Sequence, residues 1–263
     1  MNKIDHIVRY LRYHFAKKGK HGIHSPFVYD LIINVLEDKK DYPEYHILDK
    51  ARKNLLHNHD TIETVDFGAE AGNKEFITYR STVQKLTRLR AQSVAESKLL
   101  FRLVKYFKPR NVLEFGTSTG LSTIALALAN PTSKIISMEG CASVASVAEN
   151  QFQKYHLHNI DLVIGNFNNT LTDVLEKVDH LDFVFFDGNH RKIPTIDYFI
   201  HCLTKIGQKS VFIIDDIHWS DEMEEAWTEI IADQSVTLSI DLFHFGMIFF
   251  DKGFTKQHFV ISN

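Results

Sequence analysis

Seven acids and histidines in this 263-residue chain stand where a reaction could use them: Glu114, Glu139, Asp187, His190, Asp215, Asp216 and His218. Each lies in or just after a short apolar run. In an open α/β sheet, ligands bind beyond the carboxyl ends of the strands, so polar residues at these places are the ones that meet them. Asp187-Gly188-Asn189-His190 and Asp215-Asp216-Ile217-His218-Trp219 follow two such runs. If the runs are neighbouring strands, Asp187, Asp215 and Asp216 converge. Three carboxylates in one cleft repel, so either a pKa rises or a cation neutralises them. An oxygen-ligand site for Mg²⁺ or another divalent cation, held by Asp187, Asp215 and Asp216, is the economical expectation. The competing one has Asp216 capping the next helix and Asp215 binding a backbone N–H. His190, or with less support His218, is the expected general base, and Asp187 is the carboxylate of the same catalytic group.

A second set points to a nucleotide-type cofactor. In Glu114-Phe115-Gly116-Thr117-Ser118-Thr119-Gly120-Leu121-Ser122, the glycines let the backbone take positive φ and approach a ligand. A helix starting near Leu121 turns its unpaired N–H groups toward it. Glu114, Gly116, Thr117, Ser118, Gly120 and Ser122 are therefore expected cofactor contacts. A dinucleotide fingerprint needs glycine where Ser118 stands and a third glycine that is absent, which argues against a nicotinamide dehydrogenase. Glu139, 25 residues after Glu114, can accept both ribose hydroxyls, with Gly140 next to it. Asn166 and Phe167 follow a third apolar run, where an amide can bond an adenine edge and a ring can cover its face.

The elements that position these residues follow from periodicity. After Pro109, short apolar runs alternate with helical segments, the pattern of a parallel sheet with crossovers. Five strands are predicted at Asn111–Phe115, Lys134–Met138, Ile160–Ile164, Leu181–Phe186 and Ser210–Ile214. Two more, Val236–Phe243 and Phe245–Asp251, are separated by too few residues for a helix and must form an antiparallel hairpin. Residues before Arg110 read as helical, with Ile4, Val8, Leu11 and Phe15 on one stripe and Phe27, Leu31, Val35 and Leu36 on a second behind a Ser25-Pro26 start. His21 and His24 fall in the loop between, open to a metal, a base or plain solvation. The helical pattern lapses between Asp60 and Lys74. Val65–Gly72 there imitates a cofactor turn without a strand-helix-strand unit after it, and a mobile lid over the substrate is the functional alternative. Thr82–Arg90 and Ser93–Phe107 are helices. The expected division is a helical extension or lid over 1–92 and a cofactor domain over 93–263.

Composition narrows the rest. Residues 1–110 carry 21 Lys and Arg against 13 Asp and Glu, a balance of +8; the remainder carry 9 against 20, a balance of −11. The basic half can meet an anionic substrate, RNA, or the acidic half of its own fold. No run approaches the roughly 18 apolar residues of a membrane span. Cys141 and Cys202 have neither disulfide nor zinc spacing, which makes a reducing cytoplasm the default.

From roughly Leu99 to Asp251, these motifs resemble the class I S-adenosylmethionine-dependent methyltransferases. Within them they resemble the cation-dependent O-methyltransferases related to catechol and caffeoyl-CoA O-methyltransferases. The likeness rests on Glu114–Ser122 (family E-x-G-x-x-x-G-x-S), Asp182–Asp187 and Asp215-Asp216-Ile217-His218-Trp219 (family D-N-x-x-W). It implies an α/β fold with a Rossmann-like seven-stranded sheet, five strands parallel and the last two an antiparallel hairpin, flanked by helices. It implies S-adenosyl-L-methionine as cofactor. Glu114 and Gly116 would then hold its methionine part, Glu139 its ribose, and Asp187, Asp215 and Asp216 the metal, with Asp187 also bordering the cofactor. Two positions depart: the family Asn is Asp216, and the family base, a Lys, is His190. Asp187-Gly188-Asn189-His190 also looks like the D-G-x-H of a second methyltransferase group, some of which act on sugar hydroxyls. The implied activity is O-methylation of a small-molecule hydroxyl, with metal assistance open and a homodimer compatible. The rivals are an RNA methyltransferase using the basic half and a nucleoside-binding protein without catalysis.

Overall fold

The computed structural model describes residues 3–19, 22–72 and 74–262, and His21 lies outside them. The chain divides into two compact units, one formed by Met1–Asp38 with Val178–Asn263 and the other by Lys39–Lys177.

The first unit opens with α1 (Lys3–Ala16) and α2 (Pro26–Leu31), the latter running into one π-helical turn, Ile32–Leu36. Ser25 caps α2 as its sequence predicts, its hydroxyl accepting from Val28 N at 3.4 Å. The orientation of α1 differs from the expected one. Val8, Leu11 and Phe15 are exposed, whereas Arg9 and Tyr13 are buried. Two polar anchors decide this: Arg9 pairs with Asp221 and Glu224, and the Tyr13 hydroxyl donates to the Ile261 carbonyl. Buried polar groups must be paired, so they override an apolar stripe.

The second unit carries α3 (Tyr45–Leu56), the antiparallel pair β1 (Thr61–Asp66) and β2 (Ile77–Thr82), α4 (Val83–Arg90) and α5 (Val94–Phe107). The predicted helical lapse, Asp60 to Lys74, thus contains β1 of a two-stranded hairpin whose second strand lies just beyond it, and the first 92 residues are not wholly helical. Ser93 and Glu96 close a reciprocal capping box on α5. Then come β3 (Asn111–Phe115), α6 (Leu121–Ala129), β4 (Lys134–Glu139), α7 (Ala142–Lys154), β5 (Ile160–Ile164) and α8 (Phe167–Glu176). The strands β3, β4 and β5 pair in parallel, in that order. The apolar side chains of β3 and β4 are buried, which is why both strands read as nearly continuous apolar runs.

The first unit resumes with β6 (Leu181–Phe186), α9 (Lys192–Leu203), β7 (Ile206–Asp215), α10 (Asp221–Ala232), β8 (Leu238–Asp241), β9 (Phe245–Phe249) and β10 (Gln257–Val260). β6 and β7 are parallel; β9 runs antiparallel to β7 and to β8, the predicted hairpin. β10 lies parallel to β8 and was not predicted. Leaving aside β1 and β2, the described residues carry eight strands in a parallel-dominated, Rossmann-like arrangement, against seven expected. No helix of the described residues is long and apolar enough to cross a membrane.

Candidate active site

In the second unit, the chain leaves β3 through Gly116-Thr117-Ser118-Thr119-Gly120 and enters α6. Gly116 (φ 94°), Ser118 (φ 48°) and Gly120 (φ 89°) all take positive φ, so three of five residues occupy the left-handed side. Such strain persists only where the surroundings fix it, and it clusters at ligand sites. Gly116 N and Thr117 N both donate to the Met138 carbonyl, at 2.9 and 3.1 Å, stitching the turn to β4. Glu139 closes it: one carboxylate oxygen accepts from Ser118 N and the other from Cys141 N, each at 2.9 Å. Burial raises the Glu139 pKa, against those two N–H bonds and the nearby Arg90 charge, which favour the anion.

Glu114 sits beneath the turn. Its Oε2 accepts from the Thr123 hydroxyl at 2.5 Å and from Ser137 at 2.6 Å, and burial raises its pKa against the hydroxyls of Ser122, Ser137 and Thr123. Glu114 thus braces the first turn of α6 against β4. Its Oε1 and the Thr119 hydroxyl are buried without a hydrogen-bond partner in the protein. The Thr117 hydroxyl lies 2.5 Å from that of Ser137. Ser137 was not singled out in the sequence, although a lone hydroxyl inside Ile135-Ile136-Ser137-Met138 was a usable signal.

Asn166 and Phe167 also have structural contacts of their own. The Asn166 side-chain oxygen caps α8 by accepting from Asn168 N at 3.0 Å, and the Phe167 ring packs edge-on against Phe115. Gly140 faces a residue the motifs do not include. A Cβ there would lie 2.8 Å from a ring carbon of Phe67, at the end of β1.

In the first unit, the parallel register sets Phe186 beside Ile214, so Asp187 and Asp215 leave adjacent strands at matching heights. Burial first, and then the charges of Asp187 and Asp216, push the Asp215 pKa well above the usual carboxylate range, with His190 opposing. His190 Nε2 lies 3.5 Å from Asp187 Oδ1. Asn189 (φ 73°), His190 (φ 48°) and Asp216 (φ 55°) all take positive φ, a second concentration of strained backbone at strand ends. Ser220, not Asp216, caps α10.

Two expectations meet resistance. His218 has both ring nitrogens engaged, Nδ1 with Glu224 and Nε2 with Asp241, each at 2.8 Å, and its ring stacks on Phe243. A histidine held this way links α10 to β8 and has no nitrogen left to serve as a base. Among the described residues, no group of three or more His, Cys, Asp or Glu has an arrangement that could hold a metal ion. Asp187, Asp215 and Asp216 come together by charge but not as a coordinating set.

A profile of the O-methyltransferase family matches residues 73–243, well over half of the chain. Solved structures similar to this one include the S-adenosylhomocysteine-bound Podospora anserina methyltransferase PaMTH1, at 13% identity over 88% of this chain and 97% of that one, with a TM-score of 0.61. TomG, an O-methyltransferase of Streptomyces achromogenes bound to S-adenosylmethionine, is 19% identical over 84% and 95%, with a TM-score of 0.57. The Bacillus cereus O-methyltransferase bound to S-adenosylhomocysteine is 20% identical over 90% and 97%, with a TM-score of 0.53. At these identities the likeness establishes the fold. A tRNA (guanine-N(7)-)-methyltransferase of Mycoplasma mobile is 33% identical over 92 residues, 35% of this chain and 43% of that enzyme, so the match spans less than half of its length.

Proposed function

This chain belongs to the O-methyltransferase family, and we propose that it transfers the methyl group of S-adenosylmethionine to a hydroxyl of a small molecule. The observation that carries the cofactor half is the strained turn after β3, bound along one side by Glu139 and undercut by Glu114. The residues fit that cofactor. Unpartnered buried Glu114 Oε1 and Thr119 Oγ1 are polar atoms whose desolvation costs about 1–3 kcal/mol each until a ligand group meets them, and an ammonium group suits the carboxylate. Glu139 keeps lone pairs for a ribose diol after accepting its two N–H bonds.

S-adenosylmethionine supplies an electrophilic methyl group on a sulfonium. The chain must supply orientation and a proton acceptor. With His190 Nε2 turned toward Asp187, the carboxylate favours the tautomer protonated at Nε2, and Nδ1 is the atom that takes the substrate's proton. Asp187 then stabilises the imidazolium that forms. Among the described residues the acids do not form a coordinating set, so the proton-acceptor and charge-stabilising roles fall to His190 and Asp187.

Replacing Asp187 by alanine should abolish transfer while leaving S-adenosylmethionine binding within about twofold of wild type by calorimetry, a difference under about 0.5 kcal/mol. Unchanged turnover in that variant would refute the assignment. The partial match to a tRNA methyltransferase and the basic first 110 residues favour RNA as a second reading. Transfer of label to tRNA, weakening steeply with salt, would support it instead.

A further inference from the structure

We propose that Phe67 is a cofactor-binding residue, its ring lying against the adenosine whose ribose Glu139 holds. The inference rests on the reading of Glu139 as the ribose acceptor and adds a contact from outside the glycine turn. β1 is tied to the start of α7, the segment that follows Glu139 directly. Val65 N donates to Cys141 Sγ at 3.3 Å, the Ser143 hydroxyl donates to the Glu63 carbonyl, and Ile62 and Val65 pack on Leu86, Cys141 and Val144. These ties carry the end of β1 to the Glu139-Gly140-Cys141 turn.

Phe67 fills space that only a glycine leaves open. Two of its ring carbons are 2.8 and 3.1 Å from the place a Cβ on Gly140 would take. The backbone around it is fixed on both sides: Asp66 pairs with Arg90 at 2.5 Å and accepts from Gly68 N at 2.7 Å. The ring is only half-buried, with Phe76 at 5.8 Å between centroids. A base attached to a ribose lies within one ring's width of the acid that grips the ribose diol. An open aromatic face beside that acid is therefore placed to stack on it, a contact that tolerates any purine because every base has a π-face.

The test measures binding of S-adenosylmethionine and of 5′-methylthioadenosine, which keeps the adenosine and lacks the amino-acid part, to the full chain by calorimetry. Base–aromatic stacking of ordinary strength makes Phe67→Ala weaken both ligands by about tenfold or more. Phe67→Tyr, which keeps the ring, should stay within about threefold of wild type for both. A ring that merely glues the hairpin would lower the melting temperature of Phe67→Ala without this pattern. Affinities of Phe67→Ala equal to wild type would overturn the proposal, as would loss of S-adenosylmethionine affinity with the fragment's retained. A wild-type chain that bound neither ligand would overturn the cofactor reading, and this inference with it.

Discussion

Replacing Gly120 by alanine puts the cofactor turn under two separate loads. Gly120 sits at φ 89° and ψ 10°, the left-handed region, where a Cβ costs about 1–2 kcal/mol. The new methyl group would also lie 2.9 Å from Phe152 Cε1, 3.2 Å from Ala148 Cβ and 3.3 Å from Ala148 Cα. Phe152 can shift, but the Ala148 backbone belongs to α7 and cannot move without it, so overpacking adds about 1–3 kcal/mol. The sum is about 2–5 kcal/mol. At about 2–4 °C per kcal/mol for a chain of this size, the melting temperature should fall by about 10 °C. Gly72 provides the control. It too has positive φ, 58°, with ψ −123°, but nothing lies within 4 Å of an added Cβ, so Gly72→Ala bears backbone strain alone, about 1–3 kcal/mol. Thermal melts followed by circular dichroism, with calorimetric titration of S-adenosylmethionine into the folded Gly120→Ala protein, read both effects. The cofactor affinity of Gly120→Ala should drop as well, because the strain falls in the turn proposed to cradle the ligand. If Gly120→Ala melted no lower than Gly72→Ala and bound cofactor as wild type does, the close packing of the turn against α7 would be refuted.

Two further outcomes follow from the acid- and histidine-bearing strand ends. His190→Gln should reduce turnover by about 10²–10⁴-fold, the usual contribution of a general base, without loss of cofactor affinity; turnover within threefold of wild type would move the base elsewhere. For His218, burial works against the charge, but Asp241 and Glu224 outweigh it and hold the pKa above its ordinary 6.5. A raised folded pKa means stabilisation that is complete below the unfolded value and is lost as pH rises through the folded one. Melting temperature should therefore decline on the alkaline side of neutrality. His218→Gln should flatten that decline, and an identical slope in the variant would dismiss the ion-pair account of this residue.

The strands were legible because their chemistry is local. Asn111–Phe115, Ile160–Ile164 and Leu181–Phe186 start and stop where apolar runs meet polar residues, and the structure keeps those limits. β7 begins earlier than predicted, at Ile206 rather than Ser210, because its first residues include the exposed Gly207, Gln208 and Lys209 and lack an apolar signal. β1 and β2 were missed although Thr61–Asp66 and Ile77–Thr82 are rich in β-branched residues. A glycine-containing connection between them obscured the pairing. What sequence could not show were contacts between distant positions. The inward face of α1 is set by Arg9 meeting Asp221, 212 residues away, and the fate of His218 by Asp241. In the cofactor cradle, Gly116, Gly120 and Glu139 were legible from spacing. The capping of α8 by Asn166 and the approach of Phe67 to Gly140 depend on folded geometry.

The central claim is methyl transfer from S-adenosylmethionine to a small-molecule hydroxyl. Incubating the full chain with S-adenosylmethionine labelled in the methyl group and a panel of phenols, catechols and sugars tests it most directly, with tRNA as the competing acceptor and Asp187→Ala as the blank. The account predicts label in an ether-linked methyl group of at least one small hydroxyl compound, absent from the Asp187→Ala reaction. Label that entered tRNA alone, or that entered a small-molecule hydroxyl equally with Asp187→Ala, would contradict it.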